Sequence, residues 1–240
     1  MKFIIQEEVD FDFIWATEQA IKFYEWYNDT NIIKFKCCFN DLSKFLDGGD
    51  EFIPVGSVEF VHKTMQIQTG NNNYEPNQVN IPDELMLFKF CGRTCCNYMG
   101  QRFINKSSDP IFYKSISKVK GDKGILQPDE TLDKGDWFIS SLIEFDSEWR
   151  GFVFEGSLVD VRLYSGDFRE RLDFDLIDEM VSKHKWTYTI DVGTINGKTY
   201  LIEVHRFYSC GLYGFNDYTK LLKMLQNGYL ELKHLYINSK

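Results

Sequence analysis

The sequence predicts an α+β protein with largely antiparallel sheets, preceded by a small α/β unit. Strand-like and helix-like runs alternate over the first 80 residues, the pattern of a small layered α/β unit. After that, hairpin-like runs interleave with amphipathic helical runs, the pattern of an α+β protein. Between them, "QTGNNNYEPNQVNIP" (residues 68–82) is rich in Asn, Gly and Pro, which favour turns and supply no core. It reads as a surface loop and as the seam between residues 1–80 and residues 81–240. The 240 residues are enough for a sizeable core.

The elements follow in order. "KFIIQ" opens as a strand. "FDFIWATEQAIKFYEWY" places Phe13, Ile14, Ala20, Ile21 and Tyr24 at helical spacing, with Thr17 as a polar break in the stripe. "FIPVGSVEFVHKTM" reads as a short strand, a turn at Gly56 and a helix capped by Ser57. Past the seam, "PIFYKSISKVKGDKGILQ" is a strand, a Lys- and Gly-rich loop and a second strand start. "DWFISSLIEF" is a strand, "EWRGFVFEGSLVDVRLYSG" a hairpin, "RLDFDLIDEMVSKHK" an amphipathic helix, "YTIDVGTINGKTYLIEVHRF" a second hairpin, and "DYTKLLKMLQNGYLEL" a last helix.

Composition narrows the function classes. Hydrophobic residues make up 43% and charged residues 26%, ordinary for a globular protein. The 21 Phe and 13 Tyr read first as an aromatic-rich core. A net charge of −9 argues against a sequence-independent nucleic-acid binder and an anionic-membrane binder, because both need a basic footprint, and leaves room for a local basic pocket. No run approaches a membrane span, and "MKFIIQEEVDF" is too short and too acidic for a signal peptide, so a cytoplasmic location is expected. Cys37, Cys38, Cys91, Cys95, Cys96 and Cys210 include "CGRTCC", which lacks a second pair at zinc-ribbon spacing. Reduced thiols are the expectation.

The two hairpins carry the chemistry. Side chains alternate faces along a strand, so loop length decides which residues share a face. A two-residue turn at Asn196-Gly197 pairs Asp191 with Ile202 and sends Glu203 to the opposite face. A three-residue loop, Ile195 to Gly197 with a bulge, instead puts Asp191, Glu203 and His205 together, opposite Tyr188, Ile190, Val192, Ile202 and Val204. Unpaired buried carboxylates are costly, so that face is expected to hold a cation or open onto water. In the first hairpin, a three-residue loop Phe154 to Gly156 puts Glu148, Arg150, Asp160 and Arg162 on one face. Oxygen ligands suit Mg²⁺, and guanidiniums clamp phosphate or carboxylate. "SKVKGDKG" could close over phosphates with lysines and backbone N–H groups. Each feature alone has an ordinary reading, as a solvated turn or a surface ion pair; together they fit a metal–polyphosphate site.

The order of these features resembles the ATP-grasp superfamily, especially its short members of unassigned substrate in phage and bacterial genomes. Lys114 in "IFYKS" leads into the Lys/Gly loop; "FISSLIEF", "EWRGFV" and "VDVRLYSG" follow, and Asp191 in "TIDVG" and Glu203 in "LIEVH" close the series. The resemblance covers roughly residues 100–216, and "IPVGSVEFV" extends it to a reduced N-terminal domain. It implies an ATP-grasp fold, in which two α+β subdomains with antiparallel sheets grip a nucleotide. By that resemblance Lys114 contacts nucleotide phosphates, and Lys118 or Lys120 lies in or beside a mobile phosphate-covering loop. Ser140, Ser141, Leu142 and Ile143 hold adenine, and Glu144 or Glu148 lies at the ribose end. Arg150 and Arg162 contact phosphate or the acidic substrate. Asp191 and Glu203 bind Mg²⁺, with His205 standing where the family usually has Asn.

The implied cofactors are ATP and Mg²⁺, and the implied reaction is joining of a small-molecule or peptide carboxylate to an amine or thiol through an acyl phosphate. The alternative is an inactive nucleotide-binding or interaction module on the same fold. A phage or viral origin would make the cytoplasm that of the host. "DVG" resembles a kinase magnesium motif, yet no His-Arg-Asp precedes it. "KGDKG" carries Lys where a Lys-x-Asp-Gly nucleotidyltransferase signature needs Gly.

Overall fold

A computed structural model describes residues 1–46, 48–117 and 119–239. Lys118 lies outside the described residues. In chain order the strands and α-helices are β1 (Lys2–Gln6), α1 (Asp12–Asn28), β2 (Ile33–Cys37), α2 (Leu42–Leu46), β3 (Ile53–Val55), α3 (Val58–Thr69), α4 (Phe88–Cys91), β4 (Cys95–Ile104), β5 (Ile111–Ser115), β6 (Lys123–Leu126), β7 (Thr131–Ser141), β8 (Ser147–Phe154), β9 (Ser157–Gly166), α5 (Phe174–Val181), β10 (Tyr188–Ile195), β11 (Lys198–Arg206) and α6 (Tyr218–Asn238).

The chain forms two compact units. One comprises Met1–Glu75, Trp186–Tyr188 and Arg206–Lys240; the other comprises Pro76–Lys185 and Thr189–His205. Compactness therefore divides the chain differently from the single boundary expected at residue 80, because α6 groups with the N-terminal residues.

In the first unit β2, β1 and β3 form a parallel sheet in that order. Helix α1 buries Phe13, Ile14, Ala20 and Ile21, the stripe read from the sequence. Thr17 is buried on the same face because its hydroxyl donates to the Phe13 carbonyl at 2.6 Å, which removes the cost of an unpaired polar group. Ser57 caps α3 as expected, its side chain accepting from the Phe60 N–H at 3.1 Å.

The second unit contains two four-stranded sheets, ordered β4-β7-β5-β6 and β11-β10-β8-β9. β4 with β7, β5 with β6 and β7, and β8 with β9 pair antiparallel. Helix α5 is shorter than the amphipathic run suggests; Asp173 starts it by accepting from the Leu176 N–H at 3.0 Å. The stretch read as a surface loop is partly buried. Gln78, Asn80 and Ile81 are 8%, 5% and 2% exposed, and the Asn80 carbonyl accepts from the Val204 N–H at 2.7 Å. The stretch satisfies the outer edge of β11, a tertiary role that local composition does not show.

The structure corrects the three-residue loop expected at Phe154 to Gly156 and takes the two-residue alternative at Asn196-Gly197. Each turn has two residues, Glu155-Gly156 and Asn196-Gly197, and all four have positive φ (51°, 77°, 50° and 73°). Such turns match the twist of the flanking strands without a bulge in the loop itself. The irregularity lies inside the strands instead. In the β8–β9 pair, Val153 faces Leu158 but Phe152 faces Asp160, so Val159 is the extra residue. That shift restores parity: Arg150 sits directly across from Arg162, and both share a face with Glu148 and Asp160. In β11 the buried residues are Thr199, Leu201 and then Val204, a change of phase by one residue. Leu201, in place of Ile202, joins Tyr188, Ile190, Val192 and Val204 among the fully buried apolar residues of this hairpin.

Candidate active site

The change of phase in β11 brings the acidic residues together. Asp191, Glu203 and His205 each offer a ligand atom, and these atoms lie within 4.8 Å of one another. Consecutive carbonyls of a regular strand point to opposite edges, yet one guanidinium holds two of them here. Arg93 Nη1 donates to the Leu201 carbonyl at 2.8 Å and Nη2 to the Ile202 carbonyl at 3.1 Å. Arg93 Nη1 also donates to the Cys91 carbonyl at 3.1 Å, and the residue is buried. Burial depresses the affinity of this guanidinium for its proton, but the nearby sulfurs and Glu203 oppose the effect. Sequence reading missed Arg93 because "CGRTCC" drew attention only to its thiols.

Two ion pairs organise the charges. Arg150 on β8 donates through Nε and Nη2 to the two carboxylate oxygens of Asp191 on the neighbouring β10, at 2.8 and 2.7 Å. Burial raises the Asp191 pKa, against the hydrogen bond and charge of Arg150. Lys114 Nζ on β5 donates to Glu203 Oε2 at 2.6 Å, and His205 Nε2 meets Glu203 Oε1 at 2.7 Å. Burial alone would push Glu203 up as well; the His205 hydrogen bond and charge, joined by Lys114, more than reverse it and hold the carboxyl far below its usual range. Arg162 pairs with Asp160 at 2.7–2.8 Å, and Tyr164 donates its hydroxyl to Glu148 at 2.8 Å.

Beside this cluster lies a cavity of about 290 Å³, near the lower end of the roughly 300–1,000 Å³ of small-molecule sites. Ser140, Ser141, Leu142, Ile143, Glu148, Lys114 and Glu203, all read from the sequence, line it. Glu144 is exposed and is not among the lining residues, and neither is Lys120; from the Lys/Gly loop it is Lys123 that reaches the cavity. Arg150, Arg162, Asp191 and His205 stand outside the lining, Arg150 and Asp191 as the buried pair just described. Asn80, Arg93, Phe112, Phe138, Phe145, Tyr164 and Ile202 complete the wall; none was read as a site residue from the sequence, and Ile202 was expected on the apolar face. Close approach of Phe145 to β10 depends on Gly193, where any Cβ would collide with the aromatic ring.

The donor set fits a divalent cation. Two carboxylates with substrate phosphates and water form an ordinary Mg²⁺ environment, and His205 adds a nitrogen that suits softer metals better. No helix among the described residues is long and apolar enough to cross a membrane.

The family described as ATP-grasp domain, R2K clade family 2, matches residues 90–221, more than half of the chain and including Arg93, Lys114, both hairpins and the acidic cluster. Among solved structures, a D-alanine–D-alanine ligase from Bacillus anthracis is 12% identical with a TM-score of 0.49, covering 98% of this chain and 99% of that one. A RimK domain protein ATP-grasp from Sphaerobacter thermophilus is 9% identical with a TM-score of 0.47, covering 98% and 100%. An N5-carboxyaminoimidazole ribonucleotide synthetase from Thermotoga maritima is 12% identical with a TM-score of 0.46, covering 95% and 76%. A search of curated proteins found no match. The chain belongs to the ATP-grasp domain family, R2K clade family 2.

Proposed function

We propose that the protein is an ATP-dependent ligase that joins a carboxylate to an amine or a thiol through an acyl phosphate. One observation carries the reading: the cavity and the Asp191–Glu203–His205 cluster share Glu203, and Lys114 of the cavity wall donates to it. A nucleotide lying in the cavity would thus extend its phosphates to paired carboxylates that can exchange their cations.

In this reading the base and ribose lie against Phe112, Phe138 and Ile202, with the backbone of Ser141 to Ile143 reading the base edge and Glu148 at the sugar. Lys114 and Lys123 take the phosphates. Asp191 and Glu203 would hold Mg²⁺, which when bound neutralises charge developing on the transferred phosphoryl group. Lys114 and His205 keep Glu203 ionised, and Arg150 holds Asp191 in a fixed orientation, so the carboxylates need no rearrangement to accept a cation. Arg162, partly exposed across from Arg150, offers a guanidinium to the substrate carboxylate. That carboxylate attacks the γ-phosphate and releases ADP; the amine or thiol then displaces phosphate from the acyl phosphate. The protein contributes positioning and electrostatics, with no covalent side-chain intermediate.

A second reading has its own observation. His205 occupies the place of the family's Asn and already binds Glu203, an arrangement suited to an inactive nucleotide-binding module. A screen for ADP and phosphate release over pools of amino acids, small acids, peptides, polyamines and thiols separates the two. Release that depends on two added compounds supports the ligase. Nucleotide binding with no release from any pool overturns it in favour of the module.

A further inference from the structure

Of the three side chains in the acidic cluster, His205 alone offers a nitrogen. Glu203 and His205 lie two residues apart on β11, so strand alternation puts both on one face, beside Asp191 of the neighbouring β10. The Glu203 and His205 side chains are 24% and 25% exposed, so an ion can reach them from water. His205 Nε2 and Glu203 Oε1 stand 2.7 Å apart. Two neighbouring ligands bonded at about 2.1 Å to one octahedral cation stand about 3 Å apart. A cation that replaces the proton of this hydrogen bond therefore requires the two atoms to part only slightly.

We propose that His205 is itself a metal ligand and makes this site prefer a first-row transition cation, such as Mn²⁺, over Mg²⁺. This ligation rests on the ligase reading, in which the cluster is the cation site, and it adds the choice of cation. Mg²⁺ favours oxygen ligands and gives up its water reluctantly, so an imidazole adds little to its binding. Imidazole nitrogen binds first-row transition cations more readily, while the two carboxylates serve either kind of ion. Mg²⁺ still binds through Asp191 and Glu203; what changes is the ratio of the two affinities. The charge brought to the phosphates is the same in both cases.

The neighbouring side chains leave the ligand atoms accessible. Lys114 takes Glu203 Oε2, which leaves Oε1 to the imidazole, and Arg150 takes both oxygens of Asp191 from the β8 side. A carboxylate oxygen has two lone pairs, so an oxygen that accepts one hydrogen bond can still turn the other pair toward a cation. His205 ligates through the Nε2 lone pair, which places the ring proton on Nδ1.

The test uses the full chain with Mn²⁺ as the probe, in the wild type and His205→Asn, each with and without ATP. Electron spin echo envelope modulation of bound Mn²⁺ reads nitrogen ligands directly. The wild type should show the modulation of a coordinated imidazole nitrogen, and His205→Asn should lose it. Freeing half of the bound Mn²⁺ should take a roughly tenfold higher excess of Mg²⁺ in the wild type than in His205→Asn. ATP is itself a ligand, but it contributes equally to both proteins and drops out of the comparison. Bound Mn²⁺ with no imidazole modulation in the wild type would overturn the proposal whatever the variant does. Equal displacement from the two proteins, or no Mn²⁺ bound at all, would overturn it too. Imidazole modulation and unequal displacement with no tightening by ATP would uphold the metal preference and count against the nucleotide reading. Tightening by ATP with no imidazole modulation would do the reverse.

Discussion

The guanidinium of Arg150 holds both carboxylate oxygens of Asp191 in a two-point fork at 2.7–2.8 Å, with the two residues 8% and 2% exposed. The fork joins neighbouring strands β8 and β10 and fixes the rotamer of the carboxylate nearest to Glu203. Buried ion pairs of this kind cost desolvation and repay it through geometry, so each partner depends on the other.

Arg150→Met should therefore destabilise the protein by about 3–5 kcal/mol, because it leaves a buried carboxylate unpaired. Adding Asp191→Leu to that variant should recover much of the loss. Urea denaturation midpoints measure both. A single-variant loss under about 0.5 kcal/mol would place the pair in a solvated environment.

The acid limb of stability should depend on Glu203. Its folded pKa lies below the unfolded value of 4.5, so its contribution is fully present above that value and is lost as the pH falls toward the folded value. Glu203→Gln should flatten the fall in stability between about pH 5 and pH 3. Asp191 has the opposite sign: its folded pKa is raised by burial, so the native state gains relative to the unfolded state as Asp191 protonates. Asp191→Asn should steepen the same limb. Tm measured against pH for the three proteins checks both signs.

Replacing the Arg93 clamp should disturb the site more than the fold. Arg93→Lys keeps the charge but not the planar fork that reaches two carbonyls. It should lower stability by about 2 kcal/mol and remove the ATP-dependent rise in Tm. A full rise in this variant would mean that β11 keeps its phase without the clamp.

Much of this arrangement was legible in the sequence. Strand and helix runs marked the α+β class, Ser57 marked its helix, and the order of Lys114, Arg150, Arg162, Asp191 and Glu203 marked the family. The Phe154 to Gly156 loop was misread, and the choice at Asn196-Gly197 stayed open, because Glu-Gly and Asn-Gly each accept two-residue and three-residue turns, and both strands restore parity by shifts deeper in the sheet. Those shifts depend on partners distant in sequence. Arg93 reaches the carbonyls of Leu201 and Ile202, and Asn80 bonds the edge of β11 at Val204. Neither long-range partner has a local signature. Glu144 and Glu148, two acidic residues four apart, stood as alternatives in the sequence, and only the folded chain tells that Glu148 lines the cavity.

His205→Asn should keep the fold and the response to ATP with Mg²⁺, because an amide oxygen can serve beside a carboxylate. The loss of one partner to Glu203 at a partly exposed position should cost about 1 kcal/mol or less. Turnover, once a substrate pair is found, should be equal or higher; its abolition would give the imidazole a role of its own.

Titration calorimetry of ATP, with and without Mg²⁺, into the wild type and Glu203→Gln tests the central claim most directly. The wild type should bind ATP more tightly when Mg²⁺ is present, and Glu203→Gln should lose at least about tenfold of that gain, or about 1.4 kcal/mol. Equal Mg²⁺-dependent affinity in the two proteins, or no binding to the wild type, would contradict it.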